Sequence, residues 1–411
     1  MTSTDAVQFR QAVLPNGLTI QAEIVPDALT AATGFFFRTG ARDEQPDLMG
    51  VSHFLEHMMF KGTESRTAED VNRQFDDLGA NHNAFTSAEQ TAYYAHVPYD
   101  AMDQALEILA DILRPSLRPE DFEEEKGVIL EEIAMYADQP FWVLYEQGLE
   151  RFYGDHTLSH RVLGTNETVS ALTPEQMRDY FNRRYSSDNT IVAASGRIDF
   201  DQLVDQVERW CGSWPKGKPG RDHGVPEFAS GEIEVDIPET HQRYIMLMRP
   251  GVGVGDDDKY PLTQALRILG DQEGSTFFWS LVDKGLAEEA TMHLDTRDGC
   301  GEIVATIVCP PDRGQEVEDI VRREMNRVRE TIDEDGLLRS RAKIATAAML
   351  ASEQPLGRMT RIGSRWSYGL PYRTLEEEIS RIDAVDHQCV IDCLDRYDFD
   401  DLLAVRGGGT S

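Results

Sequence analysis

Basic residues are scarce in this 411-residue sequence: 40 lysines and arginines stand against 73 aspartates and glutamates, a formal net charge of −33. Nucleic-acid binding relies on basic patches that neutralise phosphates, so that class of partner is not expected. The acidic surplus has two readings, a solvated surface that keeps the protein soluble and an acidic chamber that attracts basic peptides. Cysteine is scarce too, with 5 in the chain, all late in the sequence. An odd, scattered set argues against the disulfide framework of a small secreted domain. Cys389, Cys393 and His387 are metal-ligand types, but they lie among Val385, Val390, Ile391 and Leu394, where buried small residues are expected instead. No apolar run reaches the roughly 18 residues of a membrane span. The start, MTSTDAVQFRQAVLPNGLTI, has no basic stretch leading into an apolar one. A cytoplasmic protein with no membrane partner is the expectation.

The chain is too long for one ordinary core and predicts two domains. The run GSWPKGKPGRDHGVPEFASG, from Gly212 to Gly231, is rich in glycine, proline and charge and reads as a linker. The expected division is 1–215, a linker at 216–231, and 232–411. The second part repeats the plan of the first. Tyr244 to Arg249, a turn-rich stretch and an apolar helix Leu262 to Leu269 parallel Phe35 to Arg38, Thr39 to Pro46 and the helix through Leu48 to Met59.

That first helix carries His53-Phe54-Leu55-Glu56-His57. Histidines at i and i+4 leave a helix on one face about a turn apart, so both can reach one ion. Glu56 beside them completes the chemistry of a hydrolytic zinc site, two neutral nitrogen ligands and a base. With 10 histidines and 73 acids, the pattern His-x-x-(Asp/Glu)-His arises by chance about 0.04 times in such a chain. Asp47 is predicted to cap this helix, which ends near Gly62.

Past a second amphipathic helix, Ala68 to Leu78, the stretch His82-Asn83-Ala84-Phe85-Thr86-Ser87 precedes a strand-like run, Thr91 to Val97. It reads as a sheet edge open to an added peptide strand, or as a plain hairpin. A long helix then runs from Pro119 to before Pro140. Around its axis Glu132 shares a face with Glu125, Val128, Ile129, Met135 and Tyr136, whereas Glu131 neighbours Glu124, Gly127 and Asp138. A carboxylate on the apolar side needs a partner or a metal. Glu132 is therefore the natural third ligand, with Glu125 supporting it.

Taken together, LPNGLTI, GVSHFLEHMMFKGT, NAFTSAEQTAYYAHVP and EEEKGVILEEIAMYADQP resemble the inverted-zincin, pitrilysin-like metallopeptidases of family M16. Within it the likeness is to bacterial and mitochondrial-processing-peptidase-type members and covers nearly the whole chain. The resemblance implies an α+β fold of two homologous domains, each a mainly antiparallel, six-stranded-type sheet with helices on one face. It implies one zinc per chain on His53, His57 and Glu132, with Glu125 as the supporting acid. Glu56 would be the general base for the attacking water, and Asn83, Ala84 and Phe85 the contacts to an extended peptide.

Members that bind substrate with their second half carry an arginine followed seven residues later by a tyrosine. Here Leu281 and Glu288 occupy those positions. A carboxylate cannot donate to a developing oxyanion as a phenol does. The expectation is therefore a hetero-oligomer with a homologous subunit bearing the Arg/Tyr pair, or a homodimer. The alternative is a subunit that retains zinc but only binds peptides or serves a structural role.

Overall fold

The computed structural model describes residues 7–217, 219–221, 224–237 and 240–409. Three strands open the chain, β1 (Gln8–Val13), β2 (Thr19–Ile24) and β3 (Thr30–Phe37), followed by helices α1 (Val51–Met59) and α2 (Ala68–Asp77). A hairpin, β4 (Asn81–Thr86) and β5 (Thr91–Pro98), leads to α3 (Met102–Ile112), α4 (Pro119–Ala137) and α5 (Pro140–Tyr153). Then come α6 (Asn166–Ala171), α7 (Pro174–Arg184), β6 (Thr190–Gly196) and α8 (Phe200–Cys211). The remainder runs β7 (Gly231–Val235), β8 (Arg243–Gly251), α9 (Lys259–Gly270), β9 (Glu289–Thr296), β10 (Gly301–Cys309), α10 (Gly314–Thr331), α11 (Glu334–Glu353), α12 (Pro355–Ser367), α13 (Leu375–Asp383), α14 (His387–Arg396) and β11 (Leu403–Gly408). Among the described residues no helix is long and apolar enough to cross a membrane.

Two compact units result. The first joins residues 1–133, 160–222 and 350–372 around a six-stranded sheet, β1-β2-β6-β3-β5-β4. All its pairings are antiparallel except β2 with β6. Alternate residues of a strand face opposite sides, and β3 uses both. Phe35 and Phe37 enter the main core with Phe54, Leu55 and Phe122, while Ala32 and Phe36 face the other way, against Met359 and Ile362 of α12. Gly363 meets the Phe36 ring so closely that a Cβ would lie 2.4 Å from it. Glu23 on β2, fully buried, accepts hydrogen bonds from Arg358, Arg361 and Tyr372 and so fastens α12 to this sheet.

The second unit joins residues 134–159, 223–349 and 373–411 around a five-stranded sheet, β7-β11-β8-β10-β9. Only β7 with β11 is parallel. One face holds a core of Ile245, Leu247, Leu266, Leu269 and Val321. Toward α5 the sheet turns Met246 and Val405, which crowd Gly148. Buried Glu302 accepts from Tyr153 of α5 and pairs with Arg297.

The expected contiguous halves are thus not the compact units. Helix α5, from the first half of the sequence, covers the second sheet, and α12, from the second half, covers the first. No local pattern encodes this exchange, because each helix is amphipathic against any apolar sheet face. The stretch read as a linker is also partly fixed. Arg221 binds Asp43 through two nitrogens, at 3.0 and 2.8 Å, and its side chain is 2% exposed. A buried guanidinium keeps such a partner because an unpaired buried charge is costly. Lys218, Asp222 and His223 of that stretch lie outside the described residues. All five cysteines are free; Cys393 is buried as expected, whereas Cys389 is exposed.

Candidate metal centre

Helix α1 forms because Val51, Phe54, Leu55, Met58 and Met59 give it a buried apolar face. Its start differs from the predicted Asp47 cap. Asp47 sits in a preceding 3-10 turn, and Gly50 is the N-cap with φ +95. That left-handed conformation suits glycine, which has no side chain to cap with. The buried Glu44 carboxylate does the capping from outside, accepting the Gly50 and Ser52 amides at 2.7 Å each. Nothing in the local spacing marks Glu44 for this task.

From the fixed helix, His53 and His57 project together, their rings 4.7 Å apart. Helix α4 brings Glu132 opposite them. Its Oε2 lies 3.8 Å from Nε2 of His53 and 3.8 Å from Nε2 of His57. Glu131 is exposed while Glu132 is half-buried, as the helical pattern predicts, but of the apolar face expected around Glu132 only Ile129 is buried, Val128 and Met135 being exposed. Among the described residues these three form one group able to hold a metal, with ligand atoms within 4.8 Å of one another. Separations of 3.8 Å are too long for hydrogen bonds, yet they fit atoms about 2 Å from a shared ion.

The two rings differ in protonation. Nδ1 of His57 lies 2.8 Å from Glu125 Oε1, so a proton there leaves the Nε2 lone pair facing Glu132. Burial, and then the neighbouring His57, lower the His53 pKa to about 4, so this ring is a neutral ligand at ordinary pH. Burial opposes a charge on His57, but the hydrogen bond and charge of Glu125, followed by Glu132 and Glu56, raise its pKa. Burial likewise works against ionised Glu125; His57 and Lys61 outweigh it and hold the carboxyl below its usual range. Three carboxylates converge on two histidines with Lys61 against Glu125, an arrangement that a divalent cation would balance. The donor set thus fits zinc.

Glu56 is next to the cluster without being one of its three donors. Burial raises its pKa, eased by a hydrogen bond from Thr86. Thr86 Oγ1 donates to Glu56 Oε2 at 2.6 Å. Asn83, Ala84 and Phe85 lie on β4, the edge strand of the first sheet, where the Ala84 amide donates to Asn83 Oδ1 at 2.8 Å. The sequence motif included Thr86 and Lys61 but did not reveal their contacts. The period-two facing of β4 was the available signal for Thr86.

In the second unit, Leu281 lies in a π-helical turn, Phe278–Val282, and is fully buried in the core. Glu288 is exposed and accepts from Gln242 at 2.5 Å.

The model of a family described as "Insulinase (Peptidase family M16)" matches residues 21–166, and "Peptidase M16 inactive domain" matches residues 171–344. The chain is 31% identical to the "Uncharacterized zinc protease YmxG" of Bacillus subtilis, across 90% of this chain and 91% of that protein. It is also 31% identical to the "Uncharacterized zinc protease SCO5738" of Streptomyces coelicolor, across 92% of this chain and 84% of the other. The fold is similar to that of a protease from Helicobacter pylori, with TM-score 0.91 and 16% identity, covering 98% of this chain and 100% of that one.

Proposed function

The chain belongs to peptidase family M16, and from that premise we propose that it is a zinc endopeptidase for short or unfolded peptides, the metal-bearing subunit of a heteromer. The observation that carries the reading is the convergence of His53, His57 and Glu132 with Glu56 beside them. Zinc, when bound there, supplies a Lewis acid that polarises the peptide carbonyl and acidifies water. His53 and His57 offer Nε2, and Glu132 offers Oε2. Glu56 takes the proton of the attacking water and returns it to the leaving amine. Burial raises its pKa above the usual carboxylate range, the direction that helps a carboxylate accept a proton. Glu125 and Lys61 keep His57 in the ligating tautomer. Strand β4 is the edge of its sheet, where an extended peptide adds through main-chain hydrogen bonds beside Asn83, Ala84 and Phe85, taking the Ala84 amide from the Asn83 side chain that holds it.

What the chain lacks supports the heteromer. Leu281 is committed to the core, and Glu288 presents an acceptor where oxyanion stabilisation needs a donor. A homologous partner with arginine and tyrosine at these positions would supply both. The same observation favours a second reading, a zinc-retaining subunit that binds peptides and cleaves them poorly.

Metal analysis with a quenched-peptide assay of wild type and Glu56→Gln, alone and with such a partner, separates the readings. The expected result is one zinc per chain in both proteins, and turnover that needs the partner and falls about a thousandfold in Glu56→Gln. Zinc without Glu56-dependent cleavage, partner present, would leave binding alone. Full activity from the isolated chain would reject the heteromer.

A further inference from the structure

Residues of β4 alternate between two faces of the sheet. His82 and Ala84 face α1 and α2: His82 stacks on Phe75 at 4.1 Å, and Ala84 packs on the main core. Phe85 faces the opposite side, with its ring 6.4 Å from Phe36. Thr86, next in line, returns to the α1 side and meets Glu56. It sits at the fixed end of the strand. The turn beyond it is closed by Ser87 N donating to Gln90 O at 2.9 Å, and Glu89 is held in a buried pair with Arg42 at 2.6 Å.

We propose that Thr86 is a positioning residue for Glu56: its hydroxyl holds Oε2 of the carboxylate and ties the orientation of the base to the strand on which the peptide pairs. The inference rests on the peptidase reading of this site. A glutamate has three rotatable torsions, and a half-buried one with no fixed donor can turn its oxygens away from the water it must deprotonate. A hydroxyl bonded to a carboxylate at 2.6 Å is a short, charge-assisted contact. It occupies one oxygen and leaves Oε1 for the proton. Because the same strand offers its outer edge to an extended chain, peptide pairing that orders β4 also sets the base. A peptide bound without pairing along β4 would meet a less well aligned Glu56.

Thr86→Val keeps the side-chain shape and removes the donor, whereas Thr86→Ser keeps the donor. In the zinc-loaded protein with its partner, Thr86→Val is expected to lower kcat about tenfold on an unfolded peptide, with KM within twofold and zinc content unchanged. Thr86→Ser should regain at least half of the lost kcat. A wild-type kcat in Thr86→Val overturns the proposal, as does Thr86→Ser as impaired as Thr86→Val. A double-mutant cycle on the melting temperature of the zinc-free protein tests the contact without turnover. Thr86→Val and Glu56→Leu, which removes the acceptor, should shift melting non-additively, and additive shifts would reject the bond. If Glu56→Gln turns over like wild type, the peptidase reading fails and this role for Thr86 goes with it. If Glu56→Gln is dead and Thr86→Val is normal, only the role fails.

Discussion

The two sheets of this chain share a strand order and set of directions, β2-β6-β3-β5-β4 against β7-β11-β8-β10-β9, yet among the described residues the candidate metal donors belong to the first alone. The helices after the central strands show how little separates them. Helix α1 carries His53 and His57, whereas α9, KYPLTQALRILG, has no histidine. Each half also contains Gln-Pro followed, eight residues past the proline, by the glycine that meets a sheet, Gly148 in one and Gly363 in the other. Counting back from those prolines, Ala347 stands where Glu132 does and Ser340 where Glu125 does. Core packing and helix exchange persist in both units, while the ligands are confined to one. Scaffold and chemistry are therefore separable: a handful of polar side chains distinguishes a metal centre from a packing unit.

Substitutions can break that contrast. Removing a ligand should have the largest effect. His53→Ala is expected to weaken zinc binding roughly a hundredfold to a thousandfold, as one donor's share of a typical zinc-binding energy, measured by competition with a chromogenic chelator. Unchanged affinity would mean that the ion is held elsewhere. Installing the missing arginine should be the next most disruptive. Leu281→Arg forces a charge into a fully buried site and should destabilise by about 3–5 kcal/mol, read from chemical denaturation. A stable variant with new single-chain activity would show that this position can supply the arginine without a partner.

Smaller effects sharpen the comparison. Glu125→Gln should lower zinc affinity about 10–100-fold, as expected for loss of a ligand's supporting hydrogen bond, while leaving one zinc per chain at saturation. An affinity equal to wild type would reduce Glu125 to a structural acid. Gly363→Ala, whose Cβ would strike Phe36, should destabilise by about 1–3 kcal/mol through overpacking. Gly148→Ala, whose Cβ would meet the flexible tip of Met246, should destabilise by less, and an equal or larger loss in a melting curve would show that Met246 cannot move aside. Glu288→Tyr, at an exposed position, should move stability by no more than about 0.5 kcal/mol.

Much of the candidate site is legible in the sequence. The i, i+4 spacing sets where two histidines point, and the facing of α4 separates Glu132 from Glu131 by one residue's rotation. The polar, β-prone stretch of β4 allows either a sheet edge or a plain hairpin, and the fold puts it at the edge of the first sheet. What stayed hidden depends on distant residues meeting. Glu44 caps α1 from a loop, Arg221 is pinned by Asp43 instead of lying in a free linker, and α5 and α12 settle on sheets built from the other half of the sequence. Periodicity reports which face of an element is apolar but not which surface covers it, so these contacts had no local signature.

The placement of α12 also sets a schedule for synthesis. Strands β3 and β6 are complete by residue 196, but Phe36, Ile191 and Ala193 are covered by a helix that begins at Pro355. At ribosomal speeds of about 5–20 residues per second, that apolar face waits roughly 10–30 s for its lid. During that interval the nascent chain presents a sticky sheet to its surroundings. Any message that stops short of Pro355 would release a protein with its metal ligands made and its first sheet permanently half bare, a natural client for chaperones.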